Sequence, residues 1–127
     1  MRRARILVAD DYEPIRVTLK KMLEPAYEVV GCVGDGRTLV TTAMDLQPDL
    51  VLLDVGLPVL NGLAAGRELR KLAPQVKLLF LTMNPDPDVE GEAIRMGASG
   101  YILKYSIPED LLPAVKHAVG ADGEATA

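Results

Sequence analysis

Short apolar runs alternate along the chain with longer segments in which apolar residues recur every three or four positions. The first run, residues 5–9, is followed by Ile15, Leu19 and Leu23 at helical spacing. Comparable runs, each followed by a helical pattern, occupy residues 27–33, 50–53, 76–81 and 101–103. Five strands alternating with five helices predict an α/β protein whose mostly parallel sheet is covered by helices on both faces.

The same pattern predicts which residues face the core. Leu72 belongs to the inward stripe of the third predicted helix, Ile94 to that of the fourth and Leu112 to that of the fifth. Cys32, at the end of the second strand, is expected to be a small buried hydrophobic residue. Residues 50–53 are apolar at every position, which is typical of a parallel strand buried on both faces.

Length and composition narrow the class of protein. With 127 residues, 49% of them hydrophobic and 25% charged, the chain fits one globular domain. We predict this domain over residues 1–119 and a flexible tail or the start of a linker over 120–127. No apolar run approaches the ~18 residues of a membrane-spanning helix. The first run is also too short for a secretory signal, and the lone cysteine excludes an intramolecular disulfide. We therefore expect a cytoplasmic protein.

The charge balance bears on possible partners. The formal net charge is −4, and aromatic residues make up only 4% of the chain. An acidic protein with few aromatic side chains lacks both the basic surface and the stacking platforms that nucleic acids need. We expect no direct binding of nucleic acid by this chain.

Chemically active side chains follow four of the predicted strands. Parallel strands end at one edge of a sheet, and ligands bind outside that edge. The residues that reach it are Asp10, Asp11, Asp54, Thr82 and Lys104. Each of them alone is commonly a helix cap, a turn residue or a strand end. Together they predict a cluster of carboxylates with one hydroxyl group and one ammonium group.

Such a cluster needs more positive charge than one lysine provides. Two carboxylates ~4 Å apart repel each other by about 4 kcal/mol at an effective dielectric constant near 20. With oxygen ligands only, the ion that fits is Mg²⁺, or Mn²⁺ in its place. A divalent cation and a lysine beside an aspartate form a site suited to a phosphoryl group, which the carboxylate could accept.

The motifs around these residues resemble the receiver domain of bacterial two-component response regulators. The resemblance rests on the Asp10–Asp11 pair, on LLDVGLPVLNG at 52–62, on Thr82 and on GASGYILK at 97–104, and it extends over residues 5 to about 119. It implies a flavodoxin-like (βα)5 fold with strand order 2-1-3-4-5. The GASGY run and the opening of the last helix are most similar to receivers that precede helix-turn-helix output domains.

The resemblance also implies roles for single residues. Asp54 corresponds to the phosphoacceptor, Asp11 to a direct Mg²⁺ ligand, and Asp10 to a ligand acting mostly through water. The backbone carbonyl of Gly56 corresponds to a further ligand.

Three side chains correspond to the residues that read the phosphoryl group. Thr82 is similar to the hydroxyl that binds a phosphoryl oxygen, Lys104 to the lysine that pairs with it, and Tyr101 to the aromatic residue that turns inward on activation. The implied function is a switch, phosphorylated by a sensor histidine kinase or a phosphotransfer protein, that controls an output domain or partner in transcription regulation. Dimerisation on phosphorylation fits this family. Such a protein is not an enzyme in the usual sense, since it catalyses only its own phosphorylation and dephosphorylation.

Several residues depart from the receiver pattern, and others exclude rival classes of protein. Met83 stands where the family usually has a small residue, and Pro85 and Pro87 stiffen the following loop. Met83 keeps open an alternative, a pseudo-receiver that is never phosphorylated and acts as a protein-interaction module. An aspartyl-nucleophile phosphatase would need a second aspartate at Gly56. A flavin-binding protein would need a hydroxyl-rich loop after the first strand, where the chain has DDYE.

Overall fold

The computed structural model describes the backbone of residues 2–126 and the side chains of residues 2–120. Strands and helices alternate along all of this part of the chain. They are β1 (Arg5–Ala9), α1 (Glu13–Leu23), β2 (Glu28–Val33), α2 (Gly36–Leu46), β3 (Leu50–Asp54), α3 (Gly62–Leu72), β4 (Lys77–Thr82), α4 (Pro87–Arg95), β5 (Gly100–Leu103) and α5 (Ile107–Thr126), with a short 3₁₀ turn at Lys104–Ser106 before α5.

The five strands form one parallel sheet in the order β2-β1-β3-β4-β5. The flavodoxin-like fold and its strand order are thereby confirmed. Some observed strand boundaries differ from the predicted ones by one residue. The run predicted at 76–81 is β4 at Lys77–Thr82, so Thr82 is the last residue of the strand. β3 lies at the centre of the sheet and is buried at all five positions.

The sheet separates two apolar layers. Val51 and Leu53 of β3 join a cluster that includes Leu69 of α3, together with residues of α2 and α4. Leu50 and Leu52 point to the other face, where they join residues of α1 and α5. Alternate residues of one strand thus contact helices on opposite sides, as a strand period of two requires.

Four predictions of burial were wrong. Leu72, Ile94 and Leu112 are exposed, because their neighbours on the same helices fill the core positions instead. A one-residue error in the helical phase rotates a side chain by about 100° away from the core. Cys32 is also exposed. It lies on β2, an edge strand with one neighbour, so the sheet covers it less than a central position.

Arginines near the N-terminus bind the ends of helices. Arg3 donates to the backbone carbonyls of Glu24 and Tyr27, just after α1, with an Nη2–O distance of 2.6 Å to Tyr27. Arg5 donates to the carbonyl of Leu46, the last residue of α2, at 2.7 Å. Cations at these positions satisfy carbonyls that have no partner within the helix and complement the helix dipole.

Two expectations concern membrane-spanning segments and the C-terminal tail. Among the residues that the structure describes, no helix is long and apolar enough to span a membrane. The tail predicted for 120–127 includes residue 127, outside the described residues, and the side chains from 121 onward are likewise not described. The backbone of α5 is assigned to Thr126. The division into a domain and a tail or linker therefore stays a prediction.

Candidate functional site

The predicted side chains lie together at the carboxyl edge of the sheet. Asp10 follows β1, Asp54 and Thr82 end the adjacent strands β3 and β4, and Lys104 follows β5. The parallel arrangement brings residues that are far apart in sequence to the same edge, as the strand pattern predicted.

Three carboxylates converge there. Asp10 and Asp54 are buried, whereas Asp11 is exposed. One carboxylate oxygen from each lies within 4.8 Å of the others. A set of oxygen donors with an open side toward solvent fits a hard divalent cation such as Mg²⁺, which keeps several of its waters when bound by protein.

Lys104 neutralises part of this negative charge. Its Nζ lies 2.6 Å from Oδ2 of Asp10 and 3.3 Å from Oδ1 of Asp54, and its side chain is only 7% exposed. Burial, the largest single influence, lowers the pKa of Lys104, but the hydrogen bond to Asp10 and the charge of Asp54 together raise it above its usual value. The lysine therefore remains charged within the site.

Asp54 is in the opposite situation. Burial raises the pKa of Asp54 above its ordinary value, and the negative charge of Asp10 adds to that shift. The charge of Lys104 and the backbone N–H of Gly56 oppose the shift without cancelling it. Ionised Asp54 is thus short of positive charge, and a bound divalent cation would supply it.

Three polar groups of Asp10 form hydrogen bonds, and its Oδ2 forms the ion pair with Lys104. Its backbone N–H donates to the carbonyl of Val33 at 3.0 Å, and its Oδ1 accepts from the backbone N–H of Tyr12 at 2.9 Å. Its backbone carbonyl accepts from Nη1 of Arg16 at 2.6 Å. Sequence reasoning missed Arg16, because a bond to a backbone carbonyl leaves no pattern of residue types. The available signal was a cation in the first turns of the helix that follows an acidic pair.

Glycines hold the loop between β3 and α3 against the site. A Cβ on Gly62 would collide with the carbonyl oxygen of Asp54, and one on Gly36 would collide with the carbonyl oxygen of Leu60. The N–H of Gly62 donates to the carbonyl of Val55 at 2.8 Å, which closes the loop. This close approach requires glycine and sets the end of β3, where Asp54 lies.

Three further predicted residues lie at the end of β4, directly after it and on β5. Thr82 is buried, and its Oγ1 donates to the backbone carbonyl of Asn84 at 3.1 Å. Tyr101 is half-buried against the apolar cluster of α2, α3 and α4, and its hydroxyl is buried without a hydrogen-bond partner. Met83 is 63% exposed. Whether its thioether restricts access to Asp54 stays a prediction.

Comparison with known proteins identifies the family. Residues 6–116 match the family model of the response regulator receiver domain. The chain belongs to this family. The match includes both edge strands of the sheet, β2 and β5, and all the site residues just described. The resemblance seen in the motifs is therefore confirmed.

The relatives of this receiver domain include transcriptional regulators. It is 36% identical to the transcriptional regulatory protein DegU of Brevibacillus brevis over 88% of the chain, which spans 48% of DegU. It is 36% identical to the nitrate/nitrite response regulator protein NarL of Escherichia coli K12 over 94% of the chain, which spans 56% of NarL. The chain thus spans about half the length of these relatives.

Solved structures agree with the family and the fold. A LuxR-family two-component response regulator from Aurantimonas sp. SI85-9A1 superposes with a TM-score of 0.88 at 30% identity, covering 94% of this chain and 86% of the other. The response regulator domain of Thermotoga maritima CheB gives a TM-score of 0.86 at 28% identity, covering 94% and 98%.

Proposed function

We propose that this receiver domain accepts a phosphoryl group on Asp54 and thereby acts as the switch of a two-component system. The observation that carries the proposal is the position of Asp54: its Oδ1 lies 3.3 Å from Lys104 Nζ, and the carboxylates of Asp10 and Asp11 lie beside it. This arrangement provides an acceptor, a cation for the incoming oxygens and donors for a divalent ion. An aspartate that served only to end a strand would need none of these.

We assign the metal ligands by the same reasoning. Asp11, Asp54 and the backbone carbonyl of Gly56 would hold Mg²⁺, or Mn²⁺, directly, and Asp10 would act mostly through water. The bound ion would supply charge neutralisation to the carboxylates and to the phosphoryl oxygens. The short distance from Asp10 to Lys104 supports an indirect role for Asp10, because the lysine already occupies its Oδ2.

The transfer is a displacement at phosphorus. An oxygen of Asp54 forms the new bond to phosphorus, the phosphorus–nitrogen bond of a phosphohistidine donor breaks, and its electron pair returns to the imidazole nitrogen. Lys104 would stabilise the phosphoryl oxygens, and Thr82 would donate its hydroxyl to one of them. Thr82 must release the carbonyl of Asn84 to do so, which couples the chemistry to the following loop. The domain would catalyse only its own phosphorylation and dephosphorylation.

The wider function follows from the relatives. We infer that the donor is a sensor histidine kinase or a phosphotransfer protein in the cytoplasm, and that the output is transcription regulation through a C-terminal DNA-binding domain or a partner. The relatives are transcriptional regulators about twice the length of this chain, which supports an additional output part in the whole protein. A homodimer formed on phosphorylation would be one way to transmit the switch.

Acetyl phosphate tests the acceptor without a cognate kinase. The parent protein, incubated with Mg²⁺ and acetyl phosphate, should gain one phosphoryl group by intact mass, whereas Asp54→Asn and a sample with EDTA should gain none. Asp45→Asn, which changes an exposed aspartate on α2, is the matched control and should be labelled like the parent.

Two results would contradict the proposal in different ways. Equal labelling of Asp54→Asn and the parent would place the phosphoryl group elsewhere. No labelling of a folded parent, and no binding of beryllofluoride with Mg²⁺, would favour the pseudo-receiver alternative.

A further inference from the structure

We infer that Arg16 is a positioning residue for the metal site, acting through the backbone of Asp10. This inference rests on the proposed function, because it concerns how the same site is held. Arg16 lies on α1, its Nη1 donates to the carbonyl oxygen of Asp10 at 2.6 Å, and none of the roles discussed above uses it.

The bond holds the peptide between the two acidic residues. The carbonyl of Asp10 and the N–H of Asp11 belong to one planar unit, so fixing the oxygen fixes the direction in which the backbone of Asp11 leaves β1. The other polar groups of Asp10 are already held by Val33, Tyr12 and Lys104. Asp11 itself is exposed, so the burial that fixes Asp10 does not hold its side chain. Arg16 therefore provides the restraint that aims the exposed carboxylate at the other two.

The guanidinium group is itself confined. A Cβ at Gly34, in the loop after β2, would lie 3.5 Å from Nη1 of Arg16, so this loop forms one wall for the guanidinium. Arg16 is partly buried, in contrast to its neighbour Val17 on the solvent side of α1. An arginine held between a loop and a backbone carbonyl is more restrained than a surface cation, and a longer-lived hydrogen bond positions its acceptor better.

A positioning role of Arg16 and a purely electrostatic role predict opposite changes in Mg²⁺ affinity when Arg16 is replaced. A cation close to the carboxylates repels Mg²⁺, so an arginine that acted only through its charge would weaken binding, and its removal would tighten binding. An arginine that aims Asp11 would strengthen binding, and its removal would weaken it. The sign of the change in Mg²⁺ affinity therefore distinguishes the two roles.

The experiment is a Mg²⁺ titration followed by amide chemical shifts. Arg16→Met should weaken Mg²⁺ binding about 10-fold, the low end of the range for residues that orient metal ligands. Arg16→Lys, which keeps a donor and the charge, should bind Mg²⁺ more tightly than Arg16→Met and closer to the parent. Without Mg²⁺, the amide signal of Asp11 should move in Arg16→Met, because the carbonyl in the same peptide has lost its donor.

Arg3→Met is the matched control. Arg3 also donates to backbone carbonyls, but these lie after α1, away from the site. Its replacement should lower the melting temperature while leaving the Mg²⁺ affinity and the Asp11 amide signal unchanged. If Arg16→Met fails to fold, Gly34→Leu serves instead: a Cβ at Gly34 would already be in van der Waals contact with Nη1 of Arg16 at 3.5 Å, so we expect the larger side chain to crowd the guanidinium while Arg16 is kept.

The outcomes separate this inference from the proposed function. A parent that binds Mg²⁺ and is labelled on Asp54, with unchanged or tighter Mg²⁺ binding in Arg16→Met, would overturn the role of Arg16 alone. Equal weakening by Arg3→Met would also overturn it, because the effect would then be a general loss of stability. A parent that binds no Mg²⁺ would overturn both the metal site and this role.

Discussion

At the scale of single residues, the buried carboxylate of Asp54 lowers the stability of the folded domain at neutral pH. Burial and the nearby Asp10 raise the pKa of Asp54, so ionising this carboxylate costs more in the folded domain than in the unfolded chain. The usual unfolded value is about 3.9. A group whose pKa is raised by folding stabilises the fold below its unfolded pKa, and this contribution is lost as the pH rises through the folded pKa. At neutral pH without Mg²⁺, ionised Asp54 therefore lowers the free energy of unfolding.

Asp54→Asn should consequently be more stable than the parent at pH 7 in EDTA. The gain should shrink as the pH is lowered through the raised pKa of Asp54 toward the usual unfolded value of about 3.9, because the parent then protonates Asp54 in the folded domain. Urea unfolding at several pH values measures this difference. Asp45→Asn, at an exposed position, should show no comparable gain at pH 7. A less stable Asp54→Asn at pH 7, with a deficit independent of pH, would show that its contacts with Lys104 outweigh the cost of ionisation.

At the scale of elements, the loop between β3 and α3 carries a local strain. Val59 has a φ of 69° and is 83% exposed. The left-handed region is unfavourable for β-branched residues and costs about 1–2 kcal/mol. No burial of the side chain offsets that cost. The close approaches at Gly62, where the loop ends, and at Gly36 of α2, which packs against Leu60 of the loop, restrict its path, so Val59 adopts the conformation that this path requires.

Val59→Asn should stabilise the domain by about 1 kcal/mol, because asparagine tolerates the left-handed region. Val17→Asn is the matched control: it makes the same substitution at an exposed position on α1 and should give no gain, since valine and asparagine have similar helix propensities. Urea unfolding of the two variants beside the parent checks this. Equal effects at both positions would contradict strain at Val59.

At the scale of the whole molecule, the contacts of Thr82 and Tyr101 indicate how phosphorylation would spread. The Thr82 hydroxyl is bound to the carbonyl of Asn84, so a new bond to a phosphoryl oxygen would release the loop before α4. Tyr101 already packs against the core cluster with its hydroxyl buried. Its inward movement on phosphorylation should therefore be smaller than the family pattern implies. Pro85 and Pro87 further limit the loop.

Beryllofluoride with Mg²⁺ should therefore strongly shift the amide signals of residues 82–84, 86 and 88, since Pro85 and Pro87 have no N–H, and shift those of β5 weakly. Thr82→Ala is the control, since it removes the hydroxyl and should reduce the shifts of residues 83–88 while leaving those next to Asp54 in place. Shifts confined to the neighbourhood of Asp54, with residues 85–105 silent, would mean that this face does not transmit the switch.

Much of this architecture follows from local features of the sequence. Strand and helix periods are properties of neighbouring residues, so the order and type of all ten elements could be predicted from the apolar pattern. Parallel strands end at one edge, which made the convergence of Asp10, Asp54, Thr82 and Lys104 predictable as well. The family resemblance added the order of the strands, which the apolar pattern alone does not determine.

The tertiary structure decided what depends on contacts between distant segments. Ile94 is exposed while its neighbour Ala93 is buried, because the angle at which a helix packs selects one of two adjacent faces. Cys32 is exposed because its strand lies at the sheet edge. The bond from Arg16 to Asp10 has a backbone carbonyl as acceptor, and every residue type offers one. The amino-acid sequence therefore determined which groups reach the site, and only packing decided which of them hold each other in place.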